Sequence, residues 1–179
     1  MQIQDAVVEA AQLPPLLSEP WRPIDPSYQS VLRIVVCLVA LLPLAACVAV
    51  VLFELEGLVL PAKLLAALIL LLVVFLLLVW VPRRVAHTQY LLRELDVHKS
   101  TGYWWHATVS AGHNRIQHIE VTQGPLERVY GLSKLVLYTA GGGQSDIKIP
   151  GLPSETAKRL KNYLTDRITS EAATDDDGE

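Results

Sequence analysis

Five histidines, His87, His98, His106, His113 and His118, are the side chains in this sequence best suited to hold a metal or move a proton near neutral pH. No two of them have the spacing of a known ligand motif, and both cysteines lie elsewhere, so no metal or cofactor is expected. Gly141-Gly142-Gly143 invites comparison with a phosphate-binding loop. No Lys-Ser/Thr follows it, and it falls between two expected strands rather than before a helix, so a loose hairpin is the better reading. Ser110, Ser133 and Ser145 lack a nucleophile-elbow setting, and no two carboxylates are spaced as an acid and base pair. Residue chemistry therefore argues against an enzyme.

Binding chemistry is better represented. Arg83 and Arg84 directly follow a long apolar run, where guanidinium groups meet lipid phosphates. Tyr103-Trp104-Trp105 would lie on a strand, one tryptophan buried and the other exposed to the core's alternatives, a bilayer interface or a partner. Arg115, Gln117 and Arg128 stand among turn residues, where they either pair internally with Glu120 or Glu127 or face a partner. Arg83, Arg84, Trp104, Trp105, Arg115, Gln117 and Arg128 are thus the candidate interaction residues.

The elements that carry them begin with two apolar runs, 31–53 and 58–81, separated by Glu54, Leu55, Glu56 and Gly57. Each exceeds the roughly 20 residues that a helix needs to cross a hydrocarbon core. A connection this short makes the helices antiparallel, a membrane hairpin. Arg22, Arg33, Arg83 and Arg84 flank its open end while Glu54 and Glu56 occupy the tight loop, so the positive-inside rule puts both termini in the cytoplasm. Lys63, the exception, is close enough to the loop to snorkel outward. The spans carry no central charge of the kind that marks an ion path. Cys37 and Cys47 are about 15 Å apart along the first helix, too far for a bridge, and read as small packing residues. Ala45, Ala46 and Ala49 give that helix a small-residue face for another helix. Pro43 should kink it or bring a neighbour close, and Pro61 falls in the first turn of the second helix, where proline is tolerated.

Residues 1–30 contain five prolines and scattered acids, and read as a flexible segment with Trp21 and Tyr28 as interfacial anchors. Beyond the hairpin, period-two patterning over 87–92, 94–99, 103–109, 115–123, 134–139 and 144–149 predicts six short strands. Pro153-Ser154-Glu155 then starts an amphipathic helix with Ser154 as N-cap and an apolar face of Ala157, Leu160, Leu164 and Ile168. The fold class is α+β: a helical hairpin (31–81), then a small antiparallel sandwich or barrel closed by a helix (82–169), then an acidic tail (170–179) of disordered composition. Between Pro82 and Ser170, twelve basic residues face seven acids, a net of about +5, against −3 for the whole chain. A domain of that charge beside an anionic leaflet would be drawn to it.

Asn114-Arg115-Ile116-Gln117-His118-Ile119, then Gln123-Gly124-Pro125-Leu126-Glu127-Arg128-Val129-Tyr130-Gly131-Leu132, then Leu135-Val136-Leu137-Tyr138-Thr139-Ala140-Gly141, closely resemble the bacterial pleckstrin-homology family, also called the membrane-flanked or YdbS-like domain. The resemblance covers roughly residues 30 to 168. It implies a partly open barrel capped by the terminal helix on the cytoplasmic face of a bacterial inner membrane. It also implies assembly with a longer relative carrying several such domains. Eukaryotic domains of this fold bind phosphoinositides through a basic cluster in the first strand loop. Here that loop is Leu92-Arg93-Glu94, one base beside an acid, which does not support that specificity. The expected function is a membrane-anchored scaffold or interaction protein that forms homo-oligomers or pairs with a related multi-domain membrane protein. The alternative is anionic-lipid binding or envelope-stress sensing by the basic domain. The bilayer is an expected partner and nucleic acid is not.

Overall fold

The structure, a computed structural model, describes residues 21–53, 55, 57–93, 95–141 and 146–176, with side chains as far as Ile168. Two long helices come first. α1 spans Tyr28–Leu52 and holds Pro43 in its interior without interruption. The second helix runs from Val59 to Ala86 in three parts: α2 (Val59–Phe75), a π-helical turn (Leu76–Trp80) and α3 (Val81–Ala86). Pro82 accounts for the π-turn. It has no N–H to give to the preceding turn, and the ladder shifts so that the Val81 N–H reaches the Leu76 carbonyl. The helix therefore continues beyond Val81, where the apolar run alone would end it, and carries Arg83 and Arg84 on its last turns.

Small residues are among the few buried positions of the hairpin: Ala40 and Cys47 of α1 and Ala62 of α2, beside Val31, Val81 and Val85 near the domain, so Cys47 is a packing residue while Cys37 is exposed and both are free thiols. Ala45 and Ala46 are exposed. In the most apolar stretch of each helix only 11% and 6% is buried within the protein, so nearly the whole leucine surface faces outward. Both helices are long and apolar enough to cross a membrane. Gly57 turns the connection with φ +79°, and Glu54 and Glu56 lie outside the described residues.

Seven strands are present, an unpredicted β1 (Arg22–Pro23) and six that fall near the expected ones with shifted bounds: β2 (Gln89–Leu92), β3 (Asp96–Thr101), β4 (Ala107–Gly112), β5 (Ile116–Thr122), β6 (Leu132–Thr139) and β7 (Ile147–Pro153). They form two antiparallel sheets, β1-β2-β3-β4 and β5-β6-β7. No ladder joins the sheets among the described residues, so the architecture is a sandwich and not a closed barrel. Val97 and Ala111 from one sheet and Ile119, Leu135, Leu137, Ile147, Ile149 and Leu152 from the other meet in a single core. α5 (Ser154–Asp176) closes it with Ala157, Leu160 and Leu164 buried and Ile168 half-buried, the face that its spacing predicts. Each fully buried leucine contributes about 1.5–3 kcal/mol.

Four features differ from the sequence reading. The segment before α1, over its described part, is not loose. Arg22 and Pro23 pair with Tyr90 and Gln89, Ile24 is 3% exposed in the core, and the Asp25 N–H donates to the Gly151 carbonyl at 2.8 Å. Proline is tolerated there because β1 is an edge strand. α5 also continues to Asp176, into the stretch expected to be disordered; Glu171-Ala172-Ala173 keeps a helix-favouring backbone beyond the core-facing turns. A bulge between Ile116 and His118 reverses the alternation of β5, so that Ile116 and Ile119 are both buried and Gln117 is pushed out. Finally, Tyr103-Trp104-Trp105 is not on a strand: 102–106 connects Thr101 to its partner Ala107 as a hairpin loop. Gly102 imposes this with φ +110°, where a Cβ would overlap the Trp105 carbonyl.

Candidate functional site

The domain is fastened to the hairpin at both ends, and a cleft forms in the angle. On one side, β1 leads through Asp25 into α1. Asp25 accepts at its carboxylate from the Ser27 N–H (2.8 Å) and at its carbonyl from the Tyr28 N–H (3.1 Å), turning the chain into the helix. Tyr28 then lies on Gly151, whose φ of +66° and lack of a side chain let the ring approach to where a Cβ would be 2.8 Å away. On the other side, α3 ends two residues before β2. Thr88 bridges the gap, its hydroxyl donating to the Arg84 carbonyl at 2.7 Å.

The 102–106 loop folds back on the end of the second helix. The Arg83 guanidinium lies 5.0 Å from the centre of the Tyr103 ring, which in turn meets His87 edge-on at 5.1 Å and Trp104 at 5.3 Å. Arg83 also donates to the Val79 carbonyl, a long contact of 3.5 Å, and His87 Nδ1 is 2.8 Å from the Arg83 carbonyl. The Arg84 guanidinium lies 4.6 Å over the Trp80 ring. Between helix and loop is a cavity of about 340 Å³ whose lining includes Trp80, Arg83, Arg84, Lys99, Thr101 and Tyr103 to Trp105, together with Tyr28 and Pro150. Three cations line it and, among the described residues, no carboxylate does. Burial pushes the Lys99 ammonium below the usual lysine range, and the nearby Arg84 and Lys148 charges push it in the same direction.

Four of the seven candidate residues, Arg83, Arg84, Trp104 and Trp105, therefore converge on one cleft. Both tryptophans are exposed, at 74% and 87%, so the expectation that one would be buried is corrected by the glycine-turned loop. Lys99 and Thr101 were not anticipated. The signal was available: Lys99 shares strand parity with Val97, which is buried, and a lysine on the core-facing side of a strand must end at a gap in the core or at an anion.

The family model described as "Bacterial PH domain" matches residues 32–168, from the first turns of α1 to the last core-facing turn of α5. The chain belongs to this family. No match was found among curated proteins or among solved structures.

In this bacterial PH domain the stretch that carries the family resemblance does structural work. Gln123 Nε2 donates to the Leu132 carbonyl at 2.7 Å and to Ser154 Oγ at 2.9 Å. Ser154 Oγ donates to the Gly131 carbonyl at 2.9 Å and lies 2.9 Å from Ser133 Oγ, and the Ser154 N–H also reaches Gly131. Glu127 accepts from the Gly124 N–H at 2.8 Å, starting the short helix α4 (Pro125–Val129). Glu120 accepts from the Tyr138 hydroxyl at 3.0 Å, and His118 stacks on the Tyr138 ring at 5.9 Å. The carboxylates considered as partners for Arg115 and Arg128 are thus directed elsewhere. Arg115, Gln117 and Arg128 are exposed and stand apart from the cleft. Ser133, weighed as a nucleophile, is a buried link in this network; Ser145 lies outside the described residues.

Of the remaining histidines, His106 lies 6.4 Å from His87, ring centre to ring centre. His98 pairs with Asp96 at 3.0 Å beside Trp21, whose ring is 6.4 Å away, and His113 is buried in the short 3-10 turn between β4 and β5. Among the described residues no group of three metal-ligating side chains converges.

Proposed function

We propose that this bacterial PH domain is a non-catalytic platform of the bacterial inner membrane, anchored by its two helices with both termini in the cytoplasm, that assembles with a second copy or with a related membrane-flanked protein. One observation carries the reading: the domain is fixed to both ends of the hairpin, by β1 before α1 and by α3 running within two residues of β2. A domain on a flexible tether samples all orientations, whereas this one holds a constant face toward the leaflet and toward neighbours in its plane. The hairpin supports assembly in a second way. Its internal seam uses Ala40, Cys47 and Ala62, leaving Ala45 and Ala46 exposed for close approach by another helix. The cations Arg22, Arg83 and Arg84 cluster where hairpin meets domain, as the positive-inside rule requires of a cytoplasmic domain.

Extraction of the full-length protein from its native membrane into nanodiscs, followed by mass determination, tests the assembly. A stoichiometric complex with itself or a second membrane protein is expected, and a lone protomer at every protein concentration overturns it. Orientation is tested separately with Lys161→Cys on the exposed face of α5, which an impermeant maleimide should label only after the membrane is breached.

A further inference from the structure

We infer that the cleft between the second helix and the 102–106 loop is a phosphate-binding site, and that its position at the leaflet assigns it the headgroup of an anionic phospholipid, with Arg84 and Lys99 as the cationic ligands. The inference rests on the membrane-inserted part of the proposed function and not on the assembly. Four features of the cleft carry it.

Its charge comes first. Arg83 is occupied by Tyr103 and the Val79 carbonyl; Arg84 rests on the ring of Trp80, itself a lining residue, and with Lys99 it borders the cavity with no carboxylate among the lining residues to neutralise the pair. Like charges held together in a half-buried space are tolerated when an anion completes them. Its donors come second: Thr101 adds a hydroxyl to the guanidinium and ammonium groups, a set that matches phosphate oxygens. Third is size. About 340 Å³ is within the range of small-ligand sites and large enough for a glycerophosphate group.

Fourth is position. Trp80 ends the apolar span and lines the cleft, so the opening lies at the depth where lipid phosphates lie. Trp104 and Trp105, 74% and 87% exposed, flank the same opening on a loop that Tyr103 pins to the helix. Indole rings at that level enter the interface, placing the acyl chains of a bound lipid along the uncovered leucine surface of the second helix.

The test is native mass spectrometry of the full-length protein released from nanodiscs containing equal amounts of phosphatidylcholine and phosphatidylglycerol. The wild type is expected to retain phosphatidylglycerol about tenfold in preference, and the Arg84→Gln/Lys99→Met double variant to lose that preference, a change equivalent to about 1.4 kcal/mol. Arg115→Gln/Arg128→Gln, which removes the same charge away from the cleft, should retain lipid as the wild type does. Equal retention in wild type and cleft variant overturns the site, as does equal loss in both double variants, which would mark a general charge effect. Arg84→Lys/Lys99→Arg keeps the charge and should restore retention if the cleft variant fails to fold. Displacement of the lipid by millimolar inorganic phosphate would overturn the headgroup as the source of the phosphate. Failure of the protein to enter nanodiscs would overturn membrane insertion itself, an outcome distinct from all of these.

Discussion

The cleft where the helical hairpin meets the domain and the corner around Gln123 and Ser154 are both built of polar side chains gathered at a turn, yet they leave those side chains in opposite states. At the corner the polar groups bond to one another: Gln123 Nε2, the Ser133 and Ser154 hydroxyls and the Gly131 and Leu132 carbonyls close within 2.7–2.9 Å. In the cleft, Arg84 and Lys99 face a cavity that contains no carboxylate. A satisfied network stabilises, while a group of like charges around open space destabilises the free protein and gains from a ligand. The residues that identify the family belong to the first kind, and the proposed site to the second.

The largest effect is expected from removing the frame on which the cleft rests. Gly151→Val adds a branched side chain at φ +66° against Tyr28, whose ring atoms a Cβ would meet at 2.8 Å. Left-handed backbone and overlap together should cost about 2–4 kcal/mol, lower the thermal midpoint in detergent and abolish selective lipid retention. Unchanged melting would mean that the seam between β1, α1 and β7 does not hold the domain to the hairpin.

A smaller effect is expected at the corner, and it should separate the two regions. Gln123→Ala removes two hydrogen bonds and leaves the Leu132 carbonyl to find another donor, about 2 kcal/mol in all. Thermal unfolding should register that loss while phosphatidylglycerol retention at low temperature stays at the wild-type level. If Gln123→Ala impairs retention as strongly as the cleft variant does, the two regions are not independent and the division drawn between them fails.

How much of this was legible before the structure depends on the range of the interactions. The hairpin and α5 are local patterns: a hydrophobic run, and a face repeating at three and four residues with a serine before it. Both are read from neighbours along the chain. β1 was illegible because two residues, one of them proline, carry no periodicity; only the distant Tyr90 and Gln89 make them a strand. The alternation of β5 was misleading because a bulge at Gln117 inserts one residue and exchanges the faces beyond it. Tyr-Trp-Trp has high strand propensity, but the preceding Gly102 decides the local backbone and sends all three aromatics into a loop. The cleft itself draws on α3, β3 and the 102–106 loop together with Tyr28, and its assembly follows from pairing rather than from any one segment. Arg83, Arg84, Trp104 and Trp105 could be flagged by type; that they share a cavity with Lys99 could not.

Lys99 gives the smallest effect and the sharpest one, because its sign should depend on the lipid. Its ammonium is held below its ordinary value of 10.5, first by burial and then by Arg84 and Lys148. A base whose folded-state pKa is depressed destabilises the folded protein while protonated. That penalty is complete below the lowered pKa and is relieved as pH rises from there to about 10.5, since the unfolded chain binds more protons across this window. In phosphatidylcholine, Lys99→Met should therefore melt slightly above the wild type at pH 7, by about 2 °C or less, and the gap should close as pH rises through that window. In phosphatidylglycerol the order should reverse, because the headgroup stabilises the charged lysine and offers the methionine nothing. A variant less stable than the wild type in both lipids would show that Lys99 is a structural cation satisfied within the protein. The cleft would then belong with the Gln123 corner, as a second closed network.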